Sequence, residues 1–153
     1  MDKWIYSAFK DINSIEPWYR TEDKPKNRID EHGVFHFTRA NLKDDVFRKA
    51  PVGDTLILFY QGDNPLAAQQ LDFLKKISLK FNNQREKLWV GSYNVNKNAV
   101  HPLFDFVGPV QWNLYWGGVA MSSPKYYGGP LEFRDIVDWL ILENSQGLKL
   151  DFF

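Results

Sequence analysis

One stretch, Leu56-Ile57-Leu58-Phe59-Tyr60-Gln61-Gly62-Asp63-Asn64-Pro65-Leu66-Ala67, limits the fold of this chain more than any other. Thr55 to Tyr60 is a nearly continuous apolar run bounded by Gly53-Asp54 and Gln61-Gly62, the pattern of a strand buried on both faces. Asn64 then stands as a helix N-cap with Pro65 at the first helical position, a favoured start. The chain contains no cysteine, so thiol–disulfide exchange finds no nucleophile in it.

Helices and strands alternate around this segment. Gly33 to Phe37 is expected to be a short strand, and Asn41 to Lys49 carries Leu42, Val46 and Phe47 at helical spacing. The helix opened by Asn64 shows an inner face of Leu66, Phe73, Leu74, Ile77 and Phe81, with Gln70 as its one polar member. Leu88 to Tyr93 is a further strand and Pro102 to Phe106 a short helix. Gln111 to Trp116 and Lys125 to Tyr127 form a hairpin, and Leu131, Phe133, Ile136, Val137, Leu140 and Ile141 trace a last helical face. This order predicts an α/β fold: a mixed central sheet with helices on both faces, closed by a β-hairpin and a helix.

Residues 33–145 read as the folded unit. Residues 1–32 are an aromatic arm and a charged, Pro-containing linker, and residues 146–153 an apolar tail. Nineteen basic residues balance nineteen acidic ones, so no net field draws the chain toward nucleic acid or anionic lipid. No run approaches the roughly 18 apolar residues that cross a membrane, although association with a membrane complex through protein contacts stays open. The start lacks the apolar segment of a secretory signal. No Asn-x-Ser/Thr acceptor occurs. A cytosolic protein is compatible with this, as is an organellar one, mitochondrial or in the ER lumen, whose targeting segment has been removed.

Several local matches resemble a thioredoxin domain of the protein disulfide isomerase type, over about residues 34–143. Val34-Phe35-His36-Phe37-Thr38 with Asn41-Leu42 is similar to the family's opening strand and helix. Leu58-Phe59-Tyr60 is similar to the strand before its catalytic turn. Lys125-Tyr126-Tyr127-Gly128-Gly129, then Leu131-Glu132 and Ile136-Val137-Asp138-Trp139-Leu140, resembles its last strand and helix. The resemblance implies a thioredoxin-like fold and places the family's Cys-x-x-Cys at Asn64-Pro65-Leu66-Ala67. It also places the family's buried proton-relay carboxylate at Leu58, and its site-facing cis-proline at Gln111. These six positions are therefore expected to be vestigial, and the domain redox-inactive.

Other chemistries have weaker support. His32 and His36 have a metal-ligand spacing only if helical, and no third ligand is evident. His101-Pro102 near Asp105 lacks a candidate nucleophile. An anion at the helix start would meet Asp63, which repels it and can itself satisfy the free N–H groups, while Pro65 removes one donor. Trp112, Tyr115 and Trp116 suggest aromatics alternating on one strand face, which could stack bases but lack a basic groove. No cofactor or metal is expected.

The aromatic content of 16% either enlarges the core or supplies docking surfaces. The arm either folds back over its own domain or docks on other protein subunits, and docking through Trp4, Phe9, Trp18 and Tyr19, with Phe152 and Phe153 of the tail, is the expectation carried forward. The function expected is a non-catalytic structural or adaptor subunit of a larger assembly. The alternative is a peptide-binding, chaperone-type module gripping unfolded segments around Asn64 and Gln111.

Overall fold

A computed structural model describes residues 29–39, 53–98, 109–117 and 124–150. The elements run β1 (Val34–Phe37), β2 (Asp54–Tyr60), α1 (Pro65–Lys80), a 3-10 turn (Asn82–Gln84), β3 (Leu88–Asn94), β4 (Val110–Tyr115), β5 (Lys125–Tyr126) and α2 (Phe133–Glu143). The strands form one mixed five-stranded sheet in the order β1-β3-β2-β4-β5. β1 and β2 lie parallel to β3, with Val34 beside Val90 and Asp54 beside Leu88. β4 runs antiparallel to β2, with Phe59 opposite Gln111 and Leu58 opposite Trp112, and β5 closes the hairpin against β4.

β2 occupies the centre, and all seven of its residues are buried, as a strand covered on both faces requires. Its side chains divide by parity. Leu56, Leu58 and Tyr60 join Val90, Trp112 and Leu114 in one cluster with Leu74 and Ile77 of α1 and Ile136, Val137 and Leu140 of α2. Ile57 and Phe59 join Phe37, Tyr93 and Tyr115 in a second cluster on the opposite face. Both described helices therefore pack on the same face of the sheet. The helices expected over 41–49 and 102–106 lie outside the described residues. In the second cluster Gly91 is required by a close approach, because a Cβ there would fall within the Phe37 ring.

Gln70 interrupts the inner face of α1 without weakening it. It is fully buried, accepts the Trp112 indole N–H at 3.0 Å and donates to the Leu131 carbonyl at 3.2 Å. One amide thus joins α1, β4 and the approach to α2 while satisfying a tryptophan that could not otherwise be buried cheaply.

The two ends of the unit are tied back by side chains. Before β1, the Asp30 carboxylate accepts from the His32 and Val34 N–H groups, and Gly33 adopts a φ of 78°, so that Ile29 bridges to Phe35. The last residues of the charged linker are thus folded against the sheet edge, which blunts it. After α2, Asn144 donates to the Leu140 and Ile141 carbonyls and accepts from the Gln146 and Leu148 N–H groups. Gln84 then exchanges two hydrogen bonds with the Lys149 backbone. Leu148 is 3% exposed and Leu150 packs on the first cluster, so the apolar tail continues the core as far as Leu150.

Aromatic residues of β4 do not share one face. Trp112 is wholly buried beneath the helices and Tyr115 points into the second cluster, so the one-faced alternation suggested by the sequence is not formed and both rings serve as core. Strand alternation sends neighbours to opposite sides, and only Trp116, beyond the strand end, reaches solvent.

Candidate functional site at the start of the first helix

The segment that links β2 to α1 is held by backbone bonds on both sides. Gln61 N–H donates to the Pro109 carbonyl at 2.9 Å, and Val95 N–H donates to the Tyr60 carbonyl at 2.9 Å. Asn64 N–H returns to the Gln61 carbonyl at 3.0 Å, closing a turn that leaves Gly62 and Asp63 exposed. Asp63 N–H reaches the Asn96 side chain at 3.4 Å.

Asn64 caps α1 from an extended conformation, as its sequence position predicts. Its Oδ1 accepts from Leu66 N–H at 2.9 Å and its carbonyl from Ala67 N–H at 3.0 Å. Pro65 has no N–H to offer. The first turn is therefore saturated by Asn64, with Asp63 exposed beside it, and the groups that make a helix start attractive to anions are already engaged. Pro65 is exposed, Asn64 and Leu66 are half-buried, and Ala67 is buried in the core. An amide at the cap and a methyl at the third helical position supply neither nucleophile nor base.

Leu58 lies fully buried two residues before the end of β2, between Ser92 of β3 and Trp112 of β4. Gln111 sits inside β4, opposite Phe59, and donates to the Asn113 Oδ1 at 3.0 Å. It does not stand at the head of the strand. That place belongs to Pro109, whose carbonyl receives Gln61 N–H. The β2–β4 register places Val110 opposite Tyr60, so Pro109 precedes the first paired residue and Gln111 lies one pair into the strand.

Asn113 lies beneath Gln111 and donates to the Tyr115 hydroxyl at 3.4 Å. Burial holds the Tyr115 phenol well above its ordinary value; the Asn113 bond opposes this, and Tyr126 adds to it. Because Tyr115 ionises later in the folded chain than in the unfolded one, its contribution is complete below about pH 10 and is lost as pH rises toward the folded value. Tyr115→Phe is expected to flatten the fall in stability above about pH 10, measured as urea midpoints across the alkaline range. Parallel pH profiles would contradict this.

His36 lies in β1 and His32 in the preceding turn, 3.4 Å from Glu31, so the two do not share a helix. Among the described residues no three His, Cys, Asp or Glu side chains are grouped to hold a metal ion. Trp4, Phe9, Trp18, Tyr19, His101, Phe152 and Phe153 lie outside the described residues. Among the described residues, no helix is long and apolar enough to cross a membrane.

A buried carboxylate escaped the sequence reading. Asp54, at the head of β2, is fully buried and accepts from Gly117 N–H at 2.8 Å, Ser145 N–H at 2.6 Å and Ser145 Oγ at 2.5 Å. It lies at the end of β2 remote from α1's start, and joins the hairpin to the segment after α2. Compared with known proteins, the sequence matches no family model and no curated protein.

Proposed function

We propose that the chain is a redox-inactive, thioredoxin-like adaptor that serves an assembly as a rigid block with aromatic attachments. The first turn of α1 carries the reading: where a thiolate would need the free N–H groups, Asn64 has taken them and Ala67 closes the core. Support for the thioredoxin-like part comes from the order β1-β3-β2-β4-β5, with β4 alone antiparallel beside the central β2, and from a helix that starts directly after β2. Support for the adaptor part is compositional: four arm aromatics, Trp4, Phe9, Trp18 and Tyr19, and the Phe152-Phe153 end suit anchoring on protein neighbours. No enzymatic role, cofactor or nucleic-acid partner forms part of this reading.

A tagged chain isolated gently from its own cells is expected to elute well above its own 18.0 kDa. The variant Trp4→Ala/Phe9→Ala/Trp18→Ala should elute as a monomer with an unchanged thermal transition. Three anchors of about 2 kcal/mol each imply at least a hundred-fold weaker docking. A wild-type monomer, or a variant that stays assembled, overturns the proposal.

The second reading is a peptide-binding module gripping segments around Asn64 and Gln111, supported by Leu66, which is half-buried at the turn after β2. In that case Leu66→Trp, and not the arm variant, weakens binding of an unfolded peptide.

A further inference from the structure

On the far side of the domain, the last turn of α2 and the residue after β4 expose a composite surface. Leu142 is 79% exposed and Trp116 is 41% exposed. The Trp116 indole N–H donates to the Glu143 carbonyl at 2.8 Å, which sets its ring against the end of α2, and the Lys125 ammonium lies 4.9 Å from the centre of that ring. Trp139, three residues before Leu142, meets Tyr127 edge-on at 5.3 Å. Tyr127 thus meets α2 at Trp139, and Trp116 meets its end at Glu143.

The charge of this surface is mainly acidic. Glu132, Asp135, Asp138 and Glu143 of the α2 segment outnumber the bases Arg134 and Lys125, the latter beside Trp116, in a chain whose net charge is zero. Asp135 and Asp138 repel each other at i,i+3, and Asp138 stands one turn before Leu142. Glu143 sits in a last turn that has no basic residue, where the helix dipole disfavours it. Burial, and then the Asp135 and Glu132 carboxylates, hold the Tyr127 phenol above its ordinary value. An exposed leucine and unfavourably placed acids do nothing for the free domain, and together they complement a segment of opposite character.

We infer that the Trp116–Leu142 face of α2 docks a basic, amphipathic segment of another protein, its apolar side on Leu142 and Trp116 and its Lys or Arg residues on Asp135, Asp138 and Glu143. This contact goes beyond the arm-mediated docking proposed above and stands or falls separately, because it lies within the folded unit.

A photo-crosslinking residue placed at Leu142 of the full chain, in its own cells, tests it. The expected adduct is a peptide of a different protein carrying a net charge of about +2 or more, with apolar residues at helical spacing. Asp135→Asn/Asp138→Asn should cut the yield at least ten-fold, while Asp72→Asn on α1, paired with Lys76 at 3.2 Å, should leave it unchanged. The arm variant separates the two proposals: it elutes as a monomer, yet crosslinking at 142 in cells, which traps a contact too weak to last through elution, should survive it. No adduct, a neutral or acidic peptide, a lipid adduct, a second copy of this chain, or a yield indifferent to the aspartates would overturn the inference.

Discussion

Asp54→Ala is expected to cost about 3 kcal/mol of stability, a loss of roughly 10 °C in Tm for a chain of this size. The carboxylate is fully buried and receives three donors from two segments distant in sequence, the Gly117 backbone and both the backbone and hydroxyl of Ser145. Hydrogen bonds to a charged group contribute about 1.5–3 kcal/mol each, and truncating one side leaves the others facing nothing. The estimate stays at the low end because Ser145 is exposed and water can replace part of what it loses. Even so, the effect outweighs the other polar features nearby. Loss of the Asn64 cap costs about 1 kcal/mol, and the exposed Asp72–Lys76 pair contributes about 0.3–0.5 kcal/mol. Asp54→Asn keeps one acceptor oxygen and turns an N–H₂ group toward a donor, so an intermediate loss is expected. A thermal transition for Asp54→Ala within about 2 °C of wild type would show that the bonds are replaced by solvent.

The ties made by Asp54 also explain which parts of the fold were legible in the sequence. β2 was readable because burial on both faces leaves a local signature, an apolar run with turn residues at each end. The start of α1 was readable because Asn64 and Pro65 act on their own neighbours within one turn. The β4–β5 hairpin and α2 followed from alternation and from helical spacing in the same way. What stayed hidden depends on residues far apart in the chain. Gln70 looked like a flaw in an apolar face until Trp112, 42 positions later, supplied the donor it accepts. Gln84 carries no local signal, yet it grips Lys149 across 65 positions, next to the buried Leu148. Asp54 looked like a turn residue at the edge of a strand. Polar residues of this kind carry no periodic signal, since their meaning lies in a partner that only the folded chain brings near.

The candidate site was legible as a location but not in its neighbours across the sheet. Asn64 to Ala67 fell at the first turn of α1 because the cap chemistry is local. The residues beside it depended on the β2–β4 register, which sets Gln111 opposite Phe59 and leaves Pro109 at the strand head. A two-residue slip preserves strand parity, so Gln111 and Pro109 carry the same alternation, and hydrophobic pattern alone could not tell them apart.

Leu58 offers the strongest test of whether this site has been surrendered to packing. Leu58→Asp would place a carboxylate where the resemblance expects one, and it is expected to leave no cooperative transition at neutral pH. Truncation alone, Leu58→Ala, should cost about 2–5 kcal/mol at a position this buried. The aspartate adds an uncompensated charge, and its surroundings offer little to it. Trp112 on one side already gives its indole N–H to Gln70, and Ser92 on the other supplies at most one hydroxyl. One donor does not offset the several kcal/mol that ionising a carboxylate in an apolar cluster requires. Protonation relieves part of the penalty, so Leu58→Asp should be least unstable in acid and lose structure as pH rises, while Leu58→Ala shows no such trend. Urea melts of both variants between about pH 4 and 8 would separate the two cases. If Leu58→Asp were as stable as Leu58→Ala at neutral pH, the strand would still hold room and partners for a carboxylate. The segment beside α1 would then be able to hold an ionised group within the sheet.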